Sequence, residues 1–345
     1  IMAPVYELVE KIIILTLLIL FLGIPLAIFF SKKFSNPIED LCKATDEVGR
    51  GNFKIKTAIK SGDEFGKLSH YFDKMAEKMG KLIKEQEEKI RLEKETQTAA
   101  LVQQTLIPPE KIIGDNYQIQ SYYKPASECG GDWWGVIEKK NKLYLMIGDA
   151  TGHGTASALM TSAAQSFCSI ISDLLDTQEL ETNQILNLAN NSIYSSSKGK
   201  IMMTFFVAVI DFEKGTIKYS NAGHNAPLLV SQDSSKVSPL MASGRRLGES
   251  LNEKSFESAE KPFSPGDKLV LYTDGLIENT NLDKNEFGKK KFRKLLKKGK
   301  TGAEILKSVV DDFSLFLEGK KFTDDDTTLV IADLIPLKEE KKNAA

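Results

Sequence analysis

Residues 12–30 read IIILTLLILFLGIPLAIFF, nineteen positions without a charged side chain. A helix rising about 1.5 Å per residue carries such a run across nearly all of the ~30 Å hydrocarbon core of a bilayer. The run is therefore expected to cross a membrane as one helix. Lys32 and Lys33 come directly after it, whereas the other flank holds Lys11 beside Glu7 and Glu10. That excess of positive charge places the C-terminal side of the span in the cytoplasm. A cleaved signal peptide would have a shorter apolar region and a small-residue cleavage site, but SKK stands here. Gly23 and Pro25 allow a kink within the span. The chain opens on Ile1, eleven residues ahead of the run. A longer receptor with an outer sensor domain upstream is the expectation.

The chain as a whole is charged but balanced, with 46 basic against 47 acidic side chains in 345 residues. Near-zero net charge excludes a strongly basic nucleic-acid binder, and no nucleic-acid partner is expected. A hydrophobic content of 41% excludes wholesale disorder, and the length calls for two or three folded units. Cys42, Cys129 and Cys168 stand far apart, without metal or redox spacing. They suit a reducing compartment and read as inert packing residues.

Two helical patterns come after the apolar run. Ile38, Leu41, Thr45 and Val48 recur at 3-4-3 spacing, with Pro37 suited to a first helical turn. Gly49 and Gly51 interrupt the pattern, and Phe53 and Ile55 alternate as in an extended connector. Leu68, Phe72, Met75, Met79 and Leu82 then form a second seam of heptad type. Together with Asp63-Glu64-Phe65-Gly66 at the second helix, these features resemble the HAMP linker of bacterial membrane receptors over residues 31–84. The resemblance implies a parallel four-helix bundle made by two chains, hence a homodimer. Residues 81–95 carry five basic and five acidic side chains and read as a solvated coiled-coil stalk. Pro108-Pro109 closes it.

From Tyr117 the pattern changes to short strands and hairpins around a few helices. Apolar runs at 143–147, 202–211, 268–273 and 329–334 read as strands, with a hairpin joining 202–211 to 216–220. Helices are expected at 155–172, 183–195, 289–298 and 302–318. The expected class is α+β, a C-terminal antiparallel β-sandwich flanked by helices, preceded by a transmembrane helix and an all-α stalk. Aspartates stand where strands begin or end: Asp132 after two glycines, Asp149 in GDATGHG, Asp274 in YTDGLIE, and Asp324, Asp325 and Asp326 ahead of the last strand. Each alone reads as a turn-capping residue. Four in one domain suggest carboxylates converging on hard cations, because oxygen ligands select Mg²⁺ or Mn²⁺ over zinc.

KPASECGGD at 124–132, IGDATGHG at 147–154, NAGHN at 221–225, SPGD at 264–267, LYTDGLIE at 271–278 and DDTT at 325–328 occur in order. They resemble the metal-dependent protein serine/threonine phosphatases of the protein phosphatase 2C class, in the bacterial branch of the sporulation phosphatase and the sigma-factor regulators. The resemblance implies two packed antiparallel sheets with the metals in a cleft at one end. It implies that Asp132 and Asp149 bind two central Mn²⁺ or Mg²⁺ ions, with the carbonyl of Ala150 as a further ligand. Asp274 and Asp325 would complete the coordination of the second ion, and Thr328 fixes the register that selects Asp325. A third ion would use a neighbouring acid, with Asp326 the candidate. The implied reaction is attack on phosphoserine or phosphothreonine by a metal-activated water. His153 is a minor candidate for general acid, and His224 reads as structural. The resemblance further implies a bacterial inner-membrane location with the catalytic domain cytoplasmic, and a phosphoprotein substrate such as an anti-sigma-factor antagonist.

Two departures stand out. Gly135 comes after Trp133-Trp134 where the family often has Asp, and Arg245-Arg246 precede Leu247-Gly248 where an apolar residue is common. The competing readings are a catalytically silent phosphatase-fold scaffold, a nucleotidyl cyclase and a histidine kinase. Intact aspartates argue against the scaffold. The cyclase lacks an identifiable base-recognition pair, and the kinase lacks a Gly-rich ATP lid. The expected organisation is an extracytoplasmic remnant at 1–11, a transmembrane helix at 12–30, HAMP at 31–84, stalk at 85–107, phosphatase domain at 108–340 and a tail at 341–345.

Overall fold

The computed structural model describes residues 3–152, 154–251, 256–320 and 323–335. His153 and the tail at 341–345 lie outside the described residues. The chain divides into two compact units, residues 1–93 and 94–345.

In the first unit, helix α1 (Ala3–Phe30) passes through a π-helical turn at Ser31–Ser35 into α2 (Asn36–Gly49). The continuous run Tyr6–Gly49 is long and apolar enough to cross a membrane, and none of its most apolar stretch is buried. Leu15, Ile19, Leu22 and Phe29 all stand more than half exposed. Gly51, with φ of 90°, turns the chain out of α2. Helix α3 (Glu64–Gln104) then begins on a built cap. Asp63 Oδ1 accepts from the Phe65 and Gly66 amides at 3.1 and 3.4 Å. A Cβ at position 66 would collide with the Ser61 carbonyl, which is why glycine sits there. Inside the unit, Asp73 accepts from the Thr57 amide and hydroxyl at 2.9 and 3.0 Å, tying the connector to α3. The expected seam residues Ile38, Leu68, Met75, Met79 and Leu82 remain exposed, while Ala44 and Ala76 are buried. Cys42 is exposed, which corrects its reading as a packing residue; Cys129 and Cys168 are buried.

The second unit is two antiparallel sheets with helices outside both. Its elements in chain order are β1 (Lys111–Ile113), β2 (Tyr117–Lys124), β3 (Asp132–Lys139), β4 (Lys142–Ala150), α4 (Thr155–Thr177), α5 (Thr182–Ser197), β5 (Met203–Asp211), β6 (Thr216–Ala222), β7 (Leu228–Val230), β8 (Val237–Pro239), β9 (Ser258–Pro262), β10 (Lys268–Tyr272), α6 (Gly275–Glu278), α7 (Lys289–Leu295), α8 (Gly302–Phe316) and β11 (Thr327–Leu334). One sheet has the order β1-β2-β11-β10-β7-β8, the other β3-β4-β5-β6-β9.

The strand period of two distributes side chains between layers. Trp134, Leu145, Ile147, Phe206, Leu271 and Val330 pack between the sheets. Trp133, Met146, Phe205 and Val207 face the other way, onto Phe167, Ile171 and Leu186 of α4 and α5. Val270 and Ile331 pack on Phe292, Ile305 and Phe313 of α7 and α8. Both faces of the central strands are therefore buried, and their sequences read as continuous apolar runs. Helix α4 is apolar because it covers a sheet, with Ala164, Phe167 and Ile171 in the core.

Candidate active site

The four proposed ligand positions come from both sheets. Asp132 opens β3 and stands directly opposite Asp149, near the end of β4. Asp274 lies just beyond β10, and Asp325 just ahead of β11, two strands that pair with each other. Hydroxyl groups join the two sets. Thr273 Oγ1 and Thr328 Oγ1 both donate to Asp132 Oδ2, at 2.7 and 2.6 Å. The two threonines also bond each other, the Thr328 amide donating to Thr273 Oγ1 at 2.9 Å.

Burial pushes the Asp132 carboxyl well above the usual range, and the charge of Asp149 adds to it; the hydroxyls of Thr328 and Thr273 oppose the shift. Asp149 is pushed up to about 8 by burial first, then by Asp274, Asp325 and Asp326. Asp325 is likewise raised, again chiefly by burial. Such mutual repulsion is what a divalent cation would relieve.

The donor set fits a hard ion: all oxygen, with Asp132 buried and Asp149, Asp274 and Asp325 half-buried, and coupled through charge. Among the described residues no three of His, Cys, Asp or Glu close on one point as a formed cage. The Tyr123 hydroxyl is buried beside these acids and, among the described residues, has no hydrogen-bond partner. Burial, with Asp326 and Asp132 nearby, holds it protonated.

The neighbouring acids have other work. Asp326 accepts from the Ala126 amide at 2.7 Å and the Gly131 amide at 2.5 Å, fastening the glycine turn that leads into Asp132. Asp324 points away, bonded to Thr280 and Lys320, and those bonds hold its carboxyl down at about 2. Asn279 organises the 324–327 segment. Its Oδ1 accepts from the Asp324 amide at 2.5 Å, while Nδ2 donates to the carbonyls of Gly275 and Asp325 at 2.5 and 3.1 Å.

The glycine turn is held from a second side. Gln103, in the last turn of α3 and 5% exposed, accepts from the Gly130 amide at 3.0 Å and donates to the Gly130 carbonyl at 2.5 Å. It donates also to Thr161 Oγ1 of α4 at 3.1 Å. At Gly131 a Cβ would sit 2.8 Å from the Ala150 carbonyl, so the close approach of this turn to β4 requires glycine.

His224 is structural, as its sequence context suggested. Asn221 brackets its backbone, Nδ1 meets Thr204 Oγ1 at 2.7 Å, and Nε2 meets the Tyr272 carbonyl at 3.1 Å. Burial pulls its pKa down to about 4, so the ring is neutral. Gly135 has a packing reason: a Cβ there would lie 2.5 Å from the Trp133 indole. That indole stacks on Phe205 and donates to Gln165, occupying the space an acid would need. Arg245 and Arg246 are exposed beside Leu247, whose backbone exchanges two bonds with Met203.

Residues 139–334 match the family described as stage II sporulation protein E (SpoIIE), and residues 29–81 match the HAMP domain. The chain belongs to the SpoIIE family. Its C-terminal unit is accordingly a phosphatase domain. The chain is similar to the phosphoserine phosphatase RsbU of Bacillus subtilis, 25% identical over 242 residues, which is 70% of each chain. It is also 25% identical to the protein IcfG of Synechocystis sp. over 327 residues, 86% of this chain but 51% of that one. The chain thus spans about half the length of IcfG. In fold it is similar to the SiaA-PP2C domain of Pseudomonas aeruginosa, with a TM-score of 0.60 at 20% identity over 71% of this chain and 98% of that one.

Gln103 and Asn279 carry no sequence signal that marks them as part of this SpoIIE-family site, whereas Thr273 lies within LYTDGLIE without anything that marks its hydroxyl as a partner of Asp132. Gln103 stands at the end of the expected solvated stalk, where a polar side chain reads as surface. Nothing local marks its amide as buried against Gly130.

Proposed function

We propose that this protein is a membrane-anchored, metal-dependent protein serine/threonine phosphatase, regulated through its HAMP and coiled-coil stalk. The observation that carries the reading is the electrically coupled set of buried Asp132 with half-buried Asp149, Asp274 and Asp325. Two Mn²⁺ or Mg²⁺ ions would be held by those carboxylates and the Ala150 carbonyl, with Asp326 near enough in sequence to serve a third. When bound, such ions lower the pKa of water and neutralise charge on phosphoryl oxygens.

The chain's own residues prepare the site. Thr273 and Thr328 orient the Asp132 carboxylate and favour its charged form. Asn279 and Asp326 fix the loops bearing Asp325 and Gly131, so little reorganisation remains for the reaction. Neutral His224, committed at both ring nitrogens, latches β5 to the end of β10 and takes no proton.

Lys32 and Lys33 after an apolar helix support a cytoplasmic catalytic unit at a bacterial inner membrane. The exposed seam on α2 and α3 supports a homodimer, since a HAMP unit buries such a stripe against a second copy. The name of RsbU supports a phosphoserine substrate, and an anti-sigma-factor antagonist is the regulatory protein we favour.

The test is hydrolysis of a phosphoserine peptide by the full chain in detergent with Mn²⁺, with EDTA, and as Asp149→Asn. Activity is expected with Mn²⁺ alone. Turnover that survives EDTA or the substitution would remove the metal-dependent reading.

A further inference from the structure

Residues 289–300 read KKKFRKLLKKGK, eight basic side chains in twelve positions with no acid among them. The fold subdivides this run. Phe292, Leu295 and Leu296 are buried in the core under α8. Lys291 is committed, paired with Asp312 at 3.4 Å and lying over the rings of Phe287 and Phe316. Lys289, Lys290, Arg293, Lys294, Lys297, Lys298 and Lys300 remain exposed, and among the described residues none of these seven has an ion-pair partner. Lys289 and Arg293 are spaced i,i+4, as are Lys290 and Lys294. Like charges so placed destabilise a helix. Local energetics therefore do not account for the run.

A second observation gives it a direction. Lys289 and Arg293 line a cavity of about 540 Å³ whose other walls include His224, Asn225, Met241 and Tyr272. Tyr272 is the last residue of β10, two before Asp274. The Arg293 charge reaches the Tyr272 phenol and favours its ionised form against burial. The basic face thus continues into a concave pocket beside the strand that leads to the site. Met241, 68% exposed, adds an apolar wall.

We propose that this face and cavity dock an acidic segment of the phosphoprotein substrate, so that the enzyme prefers phosphosites flanked by Asp and Glu. The proposal rests on the phosphatase reading above and specifies its substrate class. A concave pocket with mixed apolar and basic walls receives a polypeptide; the flat surface of an anionic bilayer cannot enter it. Charge complementarity of this kind acts on encounter and specificity.

The experiment compares a phosphoserine peptide flanked by Asp and Glu with the matched peptide flanked by Asn and Gln. Full chain in nanodiscs of zwitterionic lipid, with Mn²⁺, is assayed as wild type and as the double variant Lys289→Glu, Arg293→Glu. The readout is the ratio of kcat/KM for acidic over neutral peptide, in which the fraction of folded enzyme cancels. We expect a wild-type preference of about tenfold, carried by KM and weakened by salt, falling to about unity in the variant. Lys289→Gln with Arg293→Gln should fall between. A wild-type ratio of one, or a ratio that the substitutions leave intact, overturns the docking proposal while the phosphatase reading stands. Absence of Mn²⁺-dependent hydrolysis of both peptides and of p-nitrophenyl phosphate by wild type overturns that reading and the proposal with it. If anionic phosphatidylserine in the nanodiscs alters wild type but not the variant while the peptide ratio stays at one, the face binds lipid and the proposal is overturned.

Discussion

Gln103 holds both backbone groups of Gly130, accepting from its amide and donating to its carbonyl, two residues ahead of Asp132. A side-chain amide used in this way stands in for a strand partner where none exists. It connects the end of a 41-residue helix to the turn that carries a proposed ligand. Replacing Gln103 by Leu would leave the buried Gly130 groups unpaired, at a cost of about 1–3 kcal/mol. The expected outcome is a higher Mn²⁺ concentration for half-maximal phosphatase activity, with a smaller change in saturated kcat. Gln103→Glu keeps the acceptor for the Gly130 amide and loses the donor, so it should fall between. Mn²⁺ titration of activity, beside thermal melting, separates loosened metal binding from general instability.

Asp132 depends on two hydroxyls for its ionised form. Thr273→Val with Thr328→Val removes both donors to Oδ2 while keeping side-chain shape. The buried carboxyl would then rise further, so less of it is charged at neutral pH. Activity at pH 7 should fall by at least about a hundredfold, since each of the two hydrogen bonds to a charged group is worth about 1.5–3 kcal/mol. The acidic limb of the pH profile should move upward. Serine at both positions restores the donors and should recover most of the activity; equal loss with serine would point to packing instead.

Much of this architecture was legible because buried strands and helices leave strong patterns. The runs at 143–147 and 268–273 are apolar on both faces, since helices cover both sheets. Strands β1, β8 and β9 were not, because each has three to five residues with at most alternating partial burial. Asp132 and Asp149 were readable from their glycine-rich surroundings, whereas their register as direct partners exists only once β3 and β4 pair. Asn279 could not be found from local pattern. Its role comes from five bonds, four to a segment more than forty residues away and one to the α6 carbonyl beside it.

His224 makes acid stability a measurable property. Its ring is buried neutral with a pKa near 4, whereas in the unfolded chain it returns to about 6.5. Between pH 6.5 and 4 the unfolded state binds the extra proton, so stability falls as pH falls through that window. The full effect is on the order of 3 kcal/mol, from about 1.4 kcal/mol per pKa unit. Asn or Gln at position 224 cannot titrate there. His224→Gln should lower stability at pH 7 through lost contacts with Thr204 and Tyr272, yet flatten its decline toward pH 4. Denaturant midpoints at pH 7, 6, 5 and 4 for both proteins test this; parallel curves would exclude His224 as the source of the slope.

The start of α3 offers a test within the first unit. Asp63 caps the helix through the Phe65 and Gly66 amides, and its hydrogen bonds, that of Ser61 first, hold its carboxyl below the usual range. Asp63→Ala should lower the melting temperature modestly, the usual effect of losing such a cap. Gly66→Ala should cost more, because a Cβ meets the Ser61 carbonyl and the connector must shift. The two changes act on one turn, so the double variant should be less than additive. Helical circular dichroism during thermal melting of the full chain in detergent gives the ranking. Gly66→Ala melting at or above Asp63→Ala would show that the turn relaxes freely and that glycine there is not demanded by the close approach.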